Sequence, residues 1–177
     1  MNVKLKKIKF DQLKDYDIQI FDPLIFDDDR GQMTVRIEDQ LPDKFLYGDY
    51  FSFKSTKSHT HVARGLHWQN GNHPVIKYID LKQGHMHTVL LDTNTNQGVI
   101  FHWTDTIGKI IKIPENFAHG FYCVTDCVFQ YICKGKYSTA DEVTFNVFPS
   151  ICKIMDLPRP LLSEKDSAYP KIEVIIE

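Results

Sequence analysis

Residues 62–81 read VARGLHWQNGNHPVIKYIDL, and this stretch predicts two β-strands joined by the turn at 70–72. The second strand alternates apolar and polar residues, as expected of a strand that is buried on one face. Its apolar face also carries Lys77, although a buried ammonium group is costly unless it has a partner or a chemical use. The first strand presents Arg64 on one face and His67 on the other. The two strands together predict a cavity that holds a cation and an imidazole.

The composition is that of one globular domain, which we expect to span 1–177. Hydrophobic residues make up 42% of the 177 residues and charged residues 25%, which is enough to bury a core without disulfides. The net charge is −2, and no run of lysine and arginine offers a footprint for the phosphate backbone of nucleic acid. No apolar stretch has the length of a signal peptide or of a membrane span. We therefore expect a cytoplasmic protein that binds neither nucleic acid nor membranes.

The four cysteines are not spaced like a zinc site, because none of them forms a CxxC pair. They lie mostly in apolar, strand-like runs, which is typical of reduced and buried thiols. The residues are Cys123, Cys127, Cys133 and Cys152.

Short β-type segments separated by turn residues dominate the chain. The predicted strands are Arg64–Gln69, Val75–Leu81, His85–Asp92, Val99–Trp103, Lys109–Ile113, Phe121–Val124 and Val128–Lys134. Helix is predicted only in short pieces, near Phe10–Tyr16 and after Ser163. Many short strands at this spacing favour an all-β, antiparallel sandwich or barrel.

Two further side chains are candidates for the cavity. Tyr131 alternates in phase with apolar neighbours, and a buried tyrosine hydroxyl needs a partner. His119 follows a proline turn, where it either lines the cavity or hydrogen-bonds the turn backbone. A cavity lined by His67, Lys77, His119 and Tyr131 would hold a base, a cation and a proton donor. Such a set suits proton abstraction next to a carbonyl group.

A series of motifs, read in chain order, resembles the signature of the dTDP-4-dehydrorhamnose 3,5-epimerase family. The motifs are FDDDRG (26–31), RGLHWQ (64–69), Lys77, IPENFAHGF (113–121), Tyr131 with KYS (136–138), and LSEKD (162–166). The resemblance implies a cupin-type jelly-roll barrel with few short helices that works as a homodimer. It also implies an isomerase that epimerises C3, C5 or both in a nucleotide-diphosphate-linked 4-keto-6-deoxy sugar, in deoxysugar biosynthesis, with no metal and no cofactor.

The same resemblance assigns roles to individual residues. His67 is the general base, Asp166 its carboxylate partner, Lys77 the cation beside the keto oxygen, and Tyr131 the acid on the opposite face. The substrate-binding residues that the resemblance implies are Arg64 and Arg30 at the diphosphate, together with Gln69, His119 and Tyr137. These roles agree with the chemistry, because an enolate needs a fixed positive group and inversion needs a second acid across the sugar ring.

Two other classes of protein stay open. A metal-dependent cupin is suggested by the paired histidines in HTH (59–61) and HMH (85–87), although no carboxylate follows HTH within a turn. A non-catalytic sugar-binding jelly roll would need aromatic and hydrogen-bonding side chains, but no base, cation and acid around one ring.

The chain departs from the family pattern before RGLHWQ, where Ser52-Phe53-Lys54 replaces a stretch that is commonly Gln-Asp-Asn-like. If these residues read the base, a lysine lacks the acceptor of an amide, and thymidine is not the preferred base. We then expect a GDP- or CDP-linked sugar to be preferred. The apolar end IEVIIE (172–177) is a candidate for pairing or packing on a partner subunit.

Overall fold

The structure is a computed structural model that describes residues 2–29, 31–35, 50–70 and 73–177. Its strands are β1 Asn2–Ile8, β2 Gln19–Phe21, β3 Leu24–Asp28, β4 Gly31–Val35, β5 Phe51–Ser58, β6 Ala63–Gln69, β7 Ile76–Gln83, β8 His85–Asp92, β9 Gln97–Thr104, β10 Ile110–Ile113, β11 Phe117–Cys123, β12 Cys127–Lys134, β13 Glu142–Thr144 and β14 Glu173–Ile176. The helices are α1 Phe148–Ile154 and α2 Glu164–Ser167, with 3₁₀ helices at Phe10–Tyr16 and Asp105–Ile107.

Two large sheets carry the fold. The seven-stranded sheet has the order β13-β6-β11-β8-β9-β1-β14, and the five-stranded sheet has the order β2-β10-β7-β12-β5. The hairpin β3–β4 forms a separate two-stranded sheet. This architecture is a jelly roll, so the predicted all-β fold with few short helices is confirmed.

An apolar core joins the two large sheets. Phe121 on β11 and Phe129 on β12 meet edge to face, with ring centroids 4.7 Å apart. The 3₁₀ helix at Phe10–Tyr16 closes one side of this core, because the ring of Phe10 lies 5.4 Å from the ring of Trp103. Such aromatic pairs add to the burial of their own area and fix how the sheets face each other.

A second apolar layer covers the outer face of the seven-stranded sheet. Helix α1 contributes Phe148, Ile151 and Cys152, which pack with buried residues such as Leu66 and Val89. Helix α1 was not predicted from the sequence, because a helix of two turns shows too few periodic residues. A proline in its first turn is compatible with helix, since the amide missing there has no intrahelical partner.

The predicted strands are all found, His85–Asp92 with the predicted ends and the others with shifted ends. The largest shift is in β11, which begins at Phe117 and not at Phe121, so that His119 lies within the strand. Both predicted helical pieces are present, and all four cysteines are buried as expected. Among the described helices, none is both long enough and apolar enough to cross a membrane.

One part of the sheet differs from the antiparallel prediction. Strand β1 pairs in parallel with both β9 and β14. The apolar end 172–177 therefore finds a pairing partner within the chain. The direction of this pairing follows from strands that are far apart in the sequence, so no local pattern could reveal it.

Candidate active site

A cavity of about 380 Å³ lies between the two large sheets and reaches helix α2. A volume of this size suits a small-molecule site. The predicted site residues that line it are Arg64, His67, Gln69, Lys77, His119, Tyr131, Tyr137 and Asp166. The remaining predicted residue, Arg30, lies outside the described residues. The structure therefore brings together residues that the sequence spreads over a hundred positions.

His67 and Asp166 form a hydrogen-bonded pair at one wall. The Nε2 atom of His67 donates to Oδ1 of Asp166 across 2.6 Å. A neutral imidazole that donates through Nε2 carries its lone pair on Nδ1, which is then the atom able to accept a proton. The side chain of Asp166 is 4% exposed, whereas that of His67 is 31% exposed. The carboxylate is thus held in the interior while the imidazole reaches the cavity.

The Asp166 carboxylate keeps its charge although it is buried. Burial by itself raises the pKa of Asp166, but the hydrogen bond and charge of His67 and the amide of Gly65 outweigh this effect and lower the pKa. Ser163 caps helix α2, because its hydroxyl accepts the amide hydrogen of Asp166 at 3.1 Å. This cap fixes the carboxylate relative to strand β6.

Gly65 is required by a close approach of two strands. Its φ angle is +84°, and a Cβ atom at this position would lie 2.7 Å from the carbonyl oxygen of His119. The β6–β11 ladder shifts register between His119 and Phe121 at the same place. A side chain at position 65 would push β6 away from β11, so the glycine of the RGLHWQ motif has a geometric role.

Lys77 points into the cavity from β7, as its position on an apolar strand face predicted. Its Nζ atom donates to the carbonyl oxygen of His67 at 3.2 Å. Burial lowers the pKa of Lys77, and the charge of Lys54 acts in the same direction, while Glu142 opposes both. A backbone carbonyl is neutral and uses one of the three donors of an ammonium group. The charge of Lys77 is therefore not cancelled by this partner and can attract an anion in the cavity.

Tyr131 stands on the opposite wall from His67. It belongs to β12 in the five-stranded sheet, whereas His67 belongs to β6 in the seven-stranded sheet. The ring of Tyr131 stacks on Phe129 with centroids 5.5 Å apart. A ligand between the sheets would therefore have an imidazole on one side and a phenol on the other.

His119 is a buried wall residue and not part of the preceding turn. It lies opposite His67 in the β6–β11 ladder and is 9% exposed. Within the described part of the chain its Nε2 atom has no hydrogen-bond partner. Burial lowers the pKa of His119 well below its ordinary value, and the nearby charges of Lys77 and His67 lower it further. The ring is neutral at neutral pH, and its free nitrogen can serve a ligand.

The side-chain amide of Gln69 forms hydrogen bonds with three backbone groups. Its Nε2 atom donates to the carbonyl oxygens of His73 at 2.6 Å and Lys136 at 2.9 Å, and its Oε1 atom accepts the amide of Ser138 at 2.9 Å. These bonds fix the loop that carries Tyr137. A direct contact of Gln69 with substrate stays a prediction, and the structure adds this supporting role.

Glu142 and Lys165 line the cavity and were missed by the sequence analysis. Glu142 accepts hydrogen bonds from the hydroxyl of Tyr137 and from Nζ of Lys165, both at 2.5 Å. Burial raises the pKa of Glu142, but these two bonds outweigh it and keep the carboxylate ionised. Lys165 stands next to Asp166 in LSEKD, which was a usable signal, while Glu142 lies in a strand too short to be recognised.

The paired histidines that suggested a metal site lie away from the cavity. His59 contacts Asp126, and His61 contacts the hydroxyl of Tyr122. His87 lies on the outer sheet face, where its ring is 5.1 Å from that of His102 on β9. Across the described ranges, no three His, Cys, Asp or Glu side chains are arranged to hold a metal ion.

A jelly roll with an imidazole, a lysine and a tyrosine around one cavity has the groups that an acid–base enzyme needs. Residues 12–173 match the model of the family described as dTDP-4-dehydrorhamnose 3,5-epimerase. The chain belongs to the dTDP-4-dehydrorhamnose 3,5-epimerase family, as the motifs predicted.

Individual relatives agree with this assignment. The dTDP-4-dehydrorhamnose 3,5-epimerase of Salmonella typhimurium is 27% identical over 168 residues, which cover 89% of this chain and 91% of that protein. The enzyme of the same name from Escherichia coli is 30% identical over 130 residues, or 68% of this chain and 70% of that protein. A crystal structure of the enzyme of that name from Elizabethkingia anophelis is 27% identical, with a TM-score of 0.69, and the match covers 88% of this chain and 91% of that one.

The neutral state of His119 predicts a pH dependence of stability. The unfolded chain takes up a proton on this ring below about pH 6.5, and the folded chain does not, so stability falls as the pH falls. Between about pH 7.5 and about pH 5.5, His119→Gln should remove up to about 1.4 kcal/mol of the loss in unfolding free energy. Urea unfolding of wild type and variant at both pH values measures this.

An effect of the substitution that does not involve the proton changes the unfolding free energy equally at both pH values. The unfolding free energy of the variant near pH 7.5 therefore serves as the control, and the change between the two pH values measures proton uptake. Equal pH dependence in wild type and variant would show that the folded protein protonates His119.

Proposed function

We propose that this protein is an epimerase acting at C3, C5 or both of a nucleotide-diphosphate-linked 4-keto-6-deoxy sugar, in deoxysugar biosynthesis. The observation that carries the proposal is the placement of His67 and Tyr131 on opposite sheets of one cavity, with Lys77 in the same space. Inversion of a carbon requires removal of a proton on one face and its return on the other.

The base step uses the pair of His67 and Asp166. The Nδ1 atom of His67 takes the proton from the carbon next to the ketone, and the C–H electrons pass into the enolate. The imidazolium that forms is stabilised by the carboxylate of Asp166 at its other nitrogen. Lys77 supplies the positive charge beside the enolate oxygen, where such a group lowers the barrier most.

The acid step uses Tyr131. Its hydroxyl gives a proton to the enolate carbon from the face opposite His67, which forms the new C–H bond. The phenolate then regains a proton from solvent, and the imidazolium loses one to solvent, so the enzyme returns to its starting state. Both carbons next to the ketone share one enolate oxygen, so one set of residues can serve C3 and C5.

Arg64 is the candidate contact for the nucleotide part of the substrate. Arg64 lines the cavity, and its Nε atom donates to the hydroxyl of Ser58, which supports a role of the guanidinium in binding a diphosphate. The relatives are named for a dTDP sugar, whereas the lysine at position 54 led to the prediction that thymidine is not preferred. That preference stays a prediction, as does the cytoplasmic location.

Solvent-deuterium incorporation into a panel of 4-keto-6-deoxy sugars linked to dTDP, GDP and CDP tests the function. An epimerase introduces deuterium at C3, C5 or both, and the ratio of kcat/KM values ranks the nucleotides. A sugar-binding protein without catalysis would bind members of the panel and leave them undeuterated, which would overturn the proposal.

We also propose that the protein is a homodimer that uses strand β5. This strand is an edge of the five-stranded sheet, and its outward residues Phe51 and Phe53 are 67% and 62% exposed. Phe26 and Met33 of the β3–β4 hairpin are also more than half exposed. Among the described strands only β12 pairs with β5, and exposed apolar residues next to such a sheet edge are typical of an interface.

Loss of the base should stop exchange without unfolding the protein. His67→Ala should lower the rate of deuterium exchange by roughly 10²- to 10⁴-fold, because the imidazole acts in the chemical step. Asp166→Asn should lower kcat more than it raises KM, since it acts through His67. Circular dichroism monitors folding, and unchanged turnover in His67→Ala would remove the assignment.

Lys77 and Tyr131 should give defects of different kinds. Lys77→Ala should slow exchange at every carbon that exchanges, because all share the enolate oxygen. Tyr131→Phe should allow deuterium to enter from the His67 face and impair inversion. Proton NMR of the recovered sugar separates the two results. Complete loss of exchange in Tyr131→Phe would count against its role as the opposite acid.

The dimer predicts an effect of the exposed phenylalanines. Light scattering at about micromolar concentration should give a dimer for wild type and a monomer for the double variant Phe51→Ser, Phe53→Ser, because two large apolar contacts are lost. Ile175→Ser is the matched control, since Ile175 is an exposed apolar residue on β14. Dissociation by Ile175→Ser alone would instead place the interface at the C-terminal strand.

A further inference from the structure

Strand β5 places a lysine inside the cavity. The strand alternates, so that Ser52, Lys54 and Thr56 line the cavity while Phe51 and Phe53 face outward. The Nζ atom of Lys54 lies 5.7 Å from the ring centroid of Tyr131 and 5.6 Å from that of Tyr137. The ammonium therefore sits between the two tyrosines.

The charges of the cavity do not balance. Lys165 is paired with Glu142, and His67 is paired with Asp166. For Arg64, Lys77 and Lys54, the described residues include no carboxylate within ion-pair distance. Among the described residues, three basic side chains of one cavity thus have no carboxylate at ion-pair distance, and such a cluster favours an anionic ligand.

Lys77 and Lys54 lie in different parts of the cavity. Lys77 is bound to the backbone of His67, at the end where the base lies. Tyr137 is 54% exposed and marks the mouth. Lys54 stands between Tyr131 and Tyr137, on the path from the acid to the mouth. In a nucleotide sugar, the group between the reacting sugar and the nucleoside is the diphosphate.

We propose that Lys54 is a substrate-binding residue that contacts the diphosphate of the substrate through its ammonium group, an inference that rests on the proposed function. The diphosphate is common to all nucleotides, so a contact with it raises affinity without selecting a base. Lys54 then adds a charge-assisted contact that is independent of the nucleobase, and it does not read thymine or any other base.

Calorimetric binding of dTDP, GDP and inorganic pyrophosphate to the full chain tests the proposal. Lys54→Gln should weaken each of these ligands by about tenfold or more at low ionic strength, the usual effect of losing a charge-assisted hydrogen bond. The loss should shrink as salt is added, because salt screens the ammonium group. Lys54→Arg should keep most of the affinity, and uncharged thymidine should bind equally to wild type and Lys54→Gln.

Lys57→Gln is the matched control. It removes the same charge from the same strand, but the side chain of Lys57 faces away from the cavity, so affinity for the three ligands should not change. An equal loss in both variants would show a general field effect and overturn the proposal. A loss confined to dTDP or to GDP would show that Lys54 reads the base, which also overturns it. Absence of any binding of the three ligands to wild type would do the same.

This test is separate from that of the epimerase activity, because no turnover is measured. Tenfold weaker diphosphate binding in Lys54→Gln, together with no deuterium exchange in any 4-keto sugar, would support the role of Lys54 and reject the proposed reaction. Deuterium exchange in wild type, together with unchanged diphosphate affinity in Lys54→Gln, would support the proposed reaction and reject the role of Lys54.

Discussion

The hydrogen bond between His67 and Asp166 is the interaction on which the candidate site depends. A carboxylate that is almost fully buried must have donors, and here the donors come from strand β6 through His67 and the amide of Gly65. The two partners are 99 positions apart in the chain. The same bond therefore holds the C-terminal segment against the seven-stranded sheet and selects the nitrogen of His67 that faces the cavity. A structural requirement and a catalytic one are met by a single contact.

The second constraint is the excess of positive charge between two apolar sheets. Burial lowers the pKa of Lys77, because the low-dielectric interior disfavours the charged ammonium form. An anion in the cavity would reverse this effect. A diphosphate supplies negative charge in the ground state, and an enolate supplies more as the reaction proceeds. The cavity is thus better matched to the charged intermediate than to the neutral ketone, which is the condition for electrostatic catalysis.

Much of this arrangement could be predicted from local pattern. Turn residues between short β-type segments located seven strands, and alternation placed Lys77 on an inner face, because the period of a strand is fixed by its geometry. The parallel pairing of β1, the short helix α1 and the carboxylate of Glu142 could not be predicted in this way. Each depends on partners that lie far away in the sequence or on an element too short to show a period. The position of His119 within β11 was missed because the strand begins directly after a turn.

The two-sheet architecture itself explains why base and acid can face each other. Side chains on one sheet face all point to the same side, so a single sheet would offer its base and its acid to the same face of a flat sugar ring. Here His67 comes from one sheet and Tyr131 from the other, and the sugar ring would lie between them. Lys77 shares a sheet with Tyr131 but is bound to the backbone of His67. The ammonium group thus connects the two walls, and in the proposed reaction it would serve the enolate oxygen whichever face of the ring is protonated.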